Sequence, residues 1–283
     1  MRRRPTQCRR RRCARSHARA AFPARPIFAE SDAPGSSSWS FYGPANDSGG
    51  ECGVVTATLF PLPAPASASA PYYAFASGPV LLVVLSSEHD FTAGSAQLAW
   101  LQATLAAADR AASPFVIVSL HRPMYINSNY DAGPTSDVVV MNLLQKHVEP
   151  VTHAAKVTLM LYGHNHRLER ISAAYQNKTV DASQPRPDGS AAGGVLHVYD
   201  KPRATVHYVA GTAGAAFTPN DCVSQGMPAC PEWSESVIYA HGYLRFTALN
   251  ATALRFDYVD TDSDDGALID SAVIIQDLAQ AWA

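Results

Sequence analysis

The chain has 283 residues, 47% of them hydrophobic, which is enough to bury a core in one large domain or two small ones. Its formal net charge of −2 conceals an asymmetry, because the first 25 residues contain ten Arg and no acid, whereas the remaining 258 carry 12 basic and 24 acidic side chains. A body this acidic argues against a folded surface built to hold nucleic acid. No run of eighteen residues is uninterruptedly apolar, so the sequence predicts no membrane span.

The Arg-rich leader, residues 1–25, has three interpretations. It is rich in Arg and poor in acids like an organelle transit peptide, it could be a disordered nucleic-acid-binding arm, or it is unstructured and has no specific role. It does not fit a secretory signal peptide, because no apolar stretch of seven or more residues follows the charges. Residues 26–78, rich in Ser, Pro and Gly, predict a loop-rich entry segment, and the folded domain is expected at 79–283.

After the entry segment, the pattern alternates between apolar runs and amphipathic stretches. Ser95 is a candidate N-cap, and Leu98, Leu101 and Leu105 mark one face of the helix that follows. This alternation is typical of a parallel sheet covered by helices. Strands are predicted at 80–85, 115–120 and 157–161, and helices at 95–110 and 137–147, with a further segment at 149–155.

The second half of the chain has a different pattern, with strands separated by turns and no long helix. We expect these strands to be mostly antiparallel and to form a second sheet that packs on the first. They are predicted at 195–199, 205–210, 237–249, 253–259 and 272–275.

Three histidines stand where predicted strands end. His121 follows the strand at 115–120, and His164 and His166 follow the strand at 157–161 after a break at Gly163. Ligands of open α/β sheets bind beyond the carboxyl ends of the strands, and imidazole is a common metal ligand. A single such His is more often an ordinary polar residue at a strand end, but three of them together indicate a metal site.

The cysteines and sequons favour an oxidising, secretory environment, whereas the leader does not. Cys222 and Cys230 are eight positions apart around Gly226 and Pro228, which suits a short disulfide-closed loop, while Cys52 has no evident partner. Three N-x-S/T sequons suggest a glycoprotein, at Asn46, Asn177 and Asn250.

Several phrases resemble those of the calcineurin-like metallophosphoesterases, and more narrowly of the purple acid phosphatases, in the same order along the chain. The resemblance covers residues 40–276. Its two metal-binding motifs are Val118-Ser-Leu-His121 and Gly163-His-Asn-His166, and the other matching phrases are Asp47-Ser-Gly-Gly-Glu-Cys-Gly53, Ser87-Glu-His-Asp-Phe91, His121-Arg-Pro-Met-Tyr125 and His241-Gly-Tyr-Leu-Arg-Phe246.

The resemblance implies a four-layer α/β/β/α sandwich, here incomplete, with a parallel or mixed first sheet, a mostly antiparallel second sheet and the family's C-terminal region from about residue 195. It implies that His121 and His164 ligate a divalent metal (Zn, Mn or Fe(II)) and His166 a ferric ion. The implied reaction is hydrolysis of a phosphomonoester at acidic pH by a metal-activated hydroxide at a di-metal site. The family also implies a secreted or vacuolar/lysosomal location.

The upstream metal motifs of the family are missing from this sequence. They are Asp-x-Gly, Gly-Asp-x-x-Tyr and Gly-Asn-His-Glu/Asp, and no Gly-Asp or Gly-Asn dipeptide precedes His121. The chain therefore resembles the C-terminal portion of the catalytic domain, a truncated form. Without those carboxylates and the tyrosinate we expect at most one divalent metal and impaired acid phosphatase activity. The alternative is a non-catalytic remnant; the oligomeric state is open.

The loop after His121 supplies the remaining candidates. Tyr125, Asn127 and Asn129 could donate hydrogen bonds to phosphate oxygens, although an ordinary polar loop would look the same. Tyr130 and Asp131 occupy the positions at which many plant members of the family carry two adjacent His that contact the phosphate and the leaving group. His89, at the end of the strand at 80–85, is expected to make a structural hydrogen bond.

Overall fold

A computed structural model describes residues 62–63, 65–66, 70–127, 137–218, 221–224 and 226–282. The predicted leader, most of the entry segment, Cys52 and the Asn46 sequon lie outside these ranges. The helices are α1 (Ala96–Ala106), α2 (Asp137–His147), α3 (Glu149–Ala154) and the short α4 (Asp221–Ser224), with 3-10 turns at Ala192–Gly194 and Met227–Ala229. The strands are β1 (Tyr73–Ser77), β2 (Val80–Val84), β3 (Phe115–Ser119), β4 (Leu159–Tyr162), β5 (Leu168–Tyr175), β6 (Lys178–Asp181), β7 (Gln184–Pro187), β8 (Val195–Asp200), β9 (Thr205–Ala210), β10 (Ser234–Ile238), β11 (Gly242–Ala248), β12 (Ala253–Asp260) and β13 (Leu268–Ile275).

The first sheet is mixed, as predicted. Its strand order is β1-β2-β3-β4-β9-β5-β10, with β6 paired to β5. Strands β2, β3, β4 and β9 run parallel to one another, and the strands on either side of them pair antiparallel. The carboxyl ends of four parallel strands therefore meet at one edge of this sheet.

The second sheet has the order β11-β12-β13-β8-β7 and is mostly antiparallel, which confirms the prediction. The parallel pair is β13 with β8, where Ala272 lies opposite His197. Apolar residues from the facing surfaces of the two sheets form a shared core, which includes Ile117, Leu159, Val206, Phe256 and Ile274.

The helices cover the other face of the first sheet. The Ser95 side chain caps α1 by accepting a hydrogen bond from the Leu98 amide at 3.2 Å, as predicted. Leu98, Leu101 and Leu105 pack with Val83 and Val118 of the sheet. The described residues thus give helices, first sheet and second sheet, which are three layers of the expected four-layer sandwich. In these ranges no helix combines the length and apolar character needed to cross a bilayer.

The strands of the second half of the chain are divided between the two sheets, which differs from the prediction that they form the second sheet. The run at 205–210 is β9, which enters the first sheet parallel to β4 and not the second sheet. The predicted strand at 237–249 is two strands in different sheets, β10 and β11. Strand β5 was not predicted from the sequence; its Glu169 and Arg170 are charged, and both are buried.

Arg170 belongs to an inter-sheet cluster, which we define as Arg170, Glu235, Asp270, Tyr199 and Tyr208. The guanidinium contacts both carboxylates, with Nε 3.1 Å from an Asp270 oxygen and Nη1 bonded to Glu235. Each carboxylate also accepts a tyrosine hydroxyl, Glu235 from Tyr199 and Asp270 from Tyr208. Every charge in this cluster therefore has a partner of opposite sign away from water.

The predicted disulfide between Cys222 and Cys230 is present. It closes a loop of short helical turns that leads into β10. Removing a native disulfide from a small secreted domain typically lowers its stability. Disulfides of this kind persist in oxidising compartments.

Candidate metal centre

Strands β3 and β4 bring His121 and His164 to the same edge of the first sheet. Ser119 lies opposite Leu161 in the parallel register, so two positions further along His121 lies beside Gly163, and His164 is the next residue. The His121 carbonyl accepts hydrogen bonds from two backbone amides, those of Gly163 at 3.0 Å and His164 at 2.9 Å. The main chain therefore fixes the spacing of the two histidines.

The two imidazoles face each other through nitrogen atoms. His121 Nε2 lies 3.0 Å from His164 Nδ1, and the ring planes are inclined at 78°. Two imidazole nitrogens bound tetrahedrally to one zinc ion at about 2.05 Å would lie about 3.3 Å apart. The observed separation is close to that value, so a small opening of the pair would fit a metal ion.

Three further side chains stand behind this pair, and together the five form what we call the exit cluster: His121, His164, Asp137, Arg122 and Glu88. His164 Nε2 lies 3.0 and 3.1 Å from the two Asp137 carboxylate oxygens. Arg122 Nη1 donates to Asp137 at 2.6 Å, and its Nε donates to Glu88 at 2.9 Å. These residues follow β2, β3 and β4 or open α2, so four elements meet here.

The electrostatics of the exit cluster favour a neutral His121 imidazole and an ionised Asp137 carboxylate. Partial desolvation, and next the neighbouring His164, lower the pKa of His121, with Glu88 and Asp137 opposing them. Burial raises the pKa of Asp137, but hydrogen bonds and charges from His164 and Arg122 outweigh it and lower the pKa overall. Neutral imidazole is the form that binds metals.

His166 is directed elsewhere than the other two histidines. Its Nδ1 lies 2.8 Å from the Ala216 carbonyl, and its amide donates to the Thr218 hydroxyl at 3.1 Å. A carbonyl only accepts, so Nδ1 carries the proton and Nε2 keeps its lone pair. Across the described ranges, no three His, Cys, Asp or Glu side chains are grouped closely enough to hold a metal ion. The assignment of His166 as a ligand stays a prediction.

Of the candidate substrate residues that the structure describes, Tyr125 is buried and Asn127 is half-buried. The Tyr125 ring is fully buried against His207 and Trp233, and its hydroxyl donates to Glu149. The hydroxyl is thus engaged within the core, and the role of Tyr125 as a phosphate contact stays a prediction.

Asn127 is also held by neighbouring side chains. Its carboxamide donates to Glu169 at 2.6 Å and accepts from Arg167, which is itself paired with Glu169. Its role as a phosphate donor therefore stays a prediction. Asn129, Tyr130 and Asp131 lie outside the described residues.

The loop that carries His164 is packed against the exit of β9. A Cβ atom on Gly211 would lie 2.2 Å from the Gly163 carbonyl oxygen and 2.1 Å from that of Asn165, so this position accepts only glycine.

The end of β2 is held by side-chain hydrogen bonds. His89 Nδ1 lies 2.8 Å from the Ser86 hydroxyl, the structural hydrogen bond expected of it, and Gln97 of α1 bonds to the Ser86 backbone.

The described residues thus offer two nitrogen ligands to one divalent metal ion, and no group of three ligating side chains is found among them. His121 Nε2 and His164 Nδ1 converge, and Asp137 is the nearest carboxylate, on the far side of the His164 ring. A ferric ion prefers hard anionic ligands, and the Asp137 carboxylate contacts Nε2 of His164, not the Nδ1 that faces His121.

Sequence reasoning identified both histidines but missed Asp137, Arg122 and Glu88. Asp137 had been assigned only as the start of a helix. Its position beside His164 depends on the path of the chain between His121 and α2, which no local pattern encodes. The apolar runs that end at His121 and His164, in contrast, are visible in the sequence.

Comparisons with known proteins agree with the resemblance. The family model described as "Iron/zinc purple acid phosphatase-like protein C" matches residues 204–271. An Arabidopsis thaliana protein named "Probable inactive purple acid phosphatase 27" is 32% identical over 85% of this chain and 36% of its own length. A Hordeum vulgare "Nucleotide pyrophosphatase/phosphodiesterase" is 30% identical over 82% of this chain and 57% of its own length.

A solved structure shares the fold. The purple acid phosphatase from yellow lupin seeds superposes with a TM-score of 0.65 and 26% identity, covering 86% of this chain and 39% of that protein. The chain spans about a third of the length of the Arabidopsis relatives that it matches.

Proposed function

Because the chain belongs to the purple acid phosphatase family, we propose that it derives from a phosphomonoester hydrolase and retains the imidazole side of its metal site, with impaired activity. The observation that carries the proposal is the pair formed by His121 and His164, which presents two nitrogens to one point at the edge of a parallel sheet. In this chain the pair binds a single divalent ion, Zn, Mn or Fe(II). A bound ion would supply Lewis acidity and a water of lowered pKa.

Two considerations support the impairment. The described residues contain no group of three metal-ligating side chains. Several relatives at 31–32% identity carry "Probable inactive" in their names.

The groups that would contact the substrate are also proposed. Asn129, Tyr130 and Asp131 remain candidates for phosphate and leaving-group contacts, because they lie between His121 and Asp137 in the sequence and both of those residues belong to the exit cluster. His166 is proposed as the ligand of a second ion in a complete site. Its Nδ1–H bond to the Ala216 carbonyl leaves the Nε2 lone pair for that role.

A location in the secretory pathway or in a vacuolar or lysosomal compartment is consistent with the disulfide and with the exposed sequons at Asn177 and Asn250. Division of the chain into a leader (1–25), an entry segment (26–78) and a catalytic portion (79–283) is part of the same proposal.

The test is hydrolysis of p-nitrophenyl phosphate at pH 5 with added Zn or Mn, together with metal analysis of the purified protein and His164→Ala as the control. We expect at most one tightly held divalent ion per chain and weak turnover that the substitution abolishes. Equal turnover in the wild-type protein and His164→Ala would mean that the site is not catalytic, and the alternative of a non-catalytic remnant would then hold. Two tightly held ions with a visible tyrosinate-to-iron band would contradict the proposal of a single-metal site.

A further inference from the structure

The Asp137 carboxylate engages the edge of the His164 ring that points away from His121. An imidazole has two nitrogens, and here each has a different neighbour. Nδ1 lies 3.0 Å from His121 Nε2, whereas Nε2 lies 3.0 and 3.1 Å from the two oxygens of Asp137. The ring is therefore held between a potential metal position and a buried carboxylate.

From this arrangement we infer that Asp137 is a positioning residue, which fixes His164 in the tautomer protonated at Nε2 and so leaves the Nδ1 lone pair for a metal ion shared with His121. The inference rests on the proposed single-metal site. An ionised carboxylate only accepts hydrogen bonds, so the nitrogen that faces it must carry the proton. In metal-binding histidines the second nitrogen usually donates to a carboxylate or carbonyl, which orients the ring and raises its basicity.

Asp137 is itself held in place by Arg122. The guanidinium donates to Asp137 at 2.6 Å and to Glu88 at 2.9 Å, and the Arg122 amide donates to the Ser87 hydroxyl at 3.1 Å. Arg122 and Asp137 are about 95% buried, so their geometry is not subject to the disorder of a surface ion pair. Arg122 directly follows His121 in the sequence, so the backbone that carries one imidazole also carries the arginine that holds the carboxylate beside the other.

A purely structural ion pair would make different predictions. If Asp137 served only to neutralise Arg122, its removal would lower stability but leave the tautomer of His164 and its affinity for metal unchanged. If Asp137 positions His164, both properties change even in a variant that remains folded. The isosteric Asp137→Asn substitution keeps the shape of the side chain, and it can be made alongside Asp137→Ala.

The first measurement is made on metal-free protein at pH 8 by NMR of the imidazole nitrogens, with His164 assigned by comparison with His164→Ala. We expect wild-type His164 to be protonated at Nε2 and the two Asp137 variants to show a mixture of tautomers. Asp181→Asn is the matched control, because Asp181 also pairs with an arginine, Arg203, but at a half-buried position in β6. A tautomer unchanged in both Asp137 variants overturns the inference.

The second measurement is the affinity for Zn or Co by competition with a chromophoric chelator. We expect roughly 10–100-fold weaker binding in the Asp137 variants, no change in Asp181→Asn and loss of binding in His164→Ala. Wild-type affinity in folded Asp137→Asn overturns the inference while leaving the proposed metal site intact. Loss as complete as in His164→Ala overturns it in the other direction, because Asp137 would then be a ligand. Absence of binding by the wild-type chain contradicts the proposed function itself, whereas the tautomer measurement still decides the role of Asp137.

Discussion

The inter-sheet cluster and the exit cluster share one arrangement, in which an arginine bridges two carboxylates. Arg170 lies between Glu235 and Asp270, and Arg122 lies between Glu88 and Asp137. In the inter-sheet cluster each carboxylate also accepts a hydrogen bond from a buried tyrosine hydroxyl. We call this cluster closed, because its members bond to one another and to no functional group among the described residues. In the exit cluster one carboxylate continues to a histidine that is partly exposed to solvent. The same arrangement of one arginine and two carboxylates therefore joins the two sheets in one cluster. In the other cluster it orients the imidazole of His164.

The largest effect is expected from Arg170→Met in the inter-sheet cluster. The substitution leaves the buried Asp270 and the half-buried Glu235 without their cation, and breaking a buried ion pair typically lowers the free energy of unfolding by about 3–5 kcal/mol. Urea denaturation followed by circular dichroism measures the change. Metal affinity, measured on protein that is still folded, should remain at the wild-type value because the cluster lies between the sheets.

Arg203→Met provides the matched control for that prediction. Arg203 pairs with Asp181 at a largely exposed position, with 48% of the arginine side chain accessible. Exposed pairs contribute about 1 kcal/mol or less. If Arg170→Met were no more costly than Arg203→Met, the distinction between closed and exposed clusters would fail.

Gly211→Ala tests whether the exit cluster depends on backbone packing. The new Cβ would overlap the carbonyl oxygens of Gly163 and Asn165 at 2.2 and 2.1 Å, and overpacking of this kind costs about 1–3 kcal/mol. Since those carbonyls belong to the loop that carries His164, metal affinity should fall as well. Gly189→Ala is the control, because a Cβ there meets no atom within 4 Å. Equal behaviour of the two variants would show that the loop can move freely.

A third prediction concerns how stability depends on pH. It involves the buried His207, which lies in the core and not in the exit cluster. Burial lowers the pKa of His207 to about 3, while the unfolded chain has a value of about 6.5. The unfolded state therefore takes up a proton first, and stability present above pH 6.5 is lost as the pH falls towards 3. Between pH 7 and pH 5 the loss is about 2 kcal/mol.

His207→Gln checks this contribution. Glutamine does not titrate and can still accept from the Tyr162 hydroxyl, which lies 2.7 Å from His207 Nδ1. The decline in the free energy of unfolding from pH 7 to pH 5 should be about 2 kcal/mol smaller in the variant than in the wild-type protein. Parallel pH profiles for the two proteins would contradict the assignment.

The smallest effect is expected at Ser95, which belongs to neither cluster. Ser95→Ala removes one N-cap hydrogen bond of α1 and should cost about 1 kcal/mol, whereas Ser95→Thr keeps the hydroxyl and should cost less. Urea denaturation of both variants gives the baseline for a single hydrogen bond. A value for Ser95→Ala comparable with that of Arg170→Met would mean that the ionic clusters are not exceptional.

The sequence was sufficient for the elements whose pattern is local. The apolar runs of β2, β3 and β4, the cap at Ser95 and the eight-residue spacing of Cys222 and Cys230 each depend on a short stretch of chain. The family resemblance is confirmed, as is the fold of a mixed first sheet and a mostly antiparallel second sheet.

What the sequence did not predict depends on distant partners. The run at 205–210 has strand propensity that suits either sheet, and only its pairing with β4 decides between them. Strand β5 was not predicted, and its Glu169 and Arg170 are charged. Arg170 pairs with Glu235, 65 positions further along the chain, whereas Glu169 pairs with Arg167, which is two positions away. Asp137 escaped notice because its partners are distant in the sequence.

The His121 carbonyl accepts two hydrogen bonds, and this has a consequence for how a metal ion would bind. Because the amides of Gly163 and His164 both donate to it, folding alone brings the two donor nitrogens together. The pair is thus a preorganised chelate, in which the loss of conformational entropy precedes the arrival of the ion and does not weaken its binding. Slow hydrogen exchange at those two amides, in the absence of any metal, is the signature that such a chelate should leave.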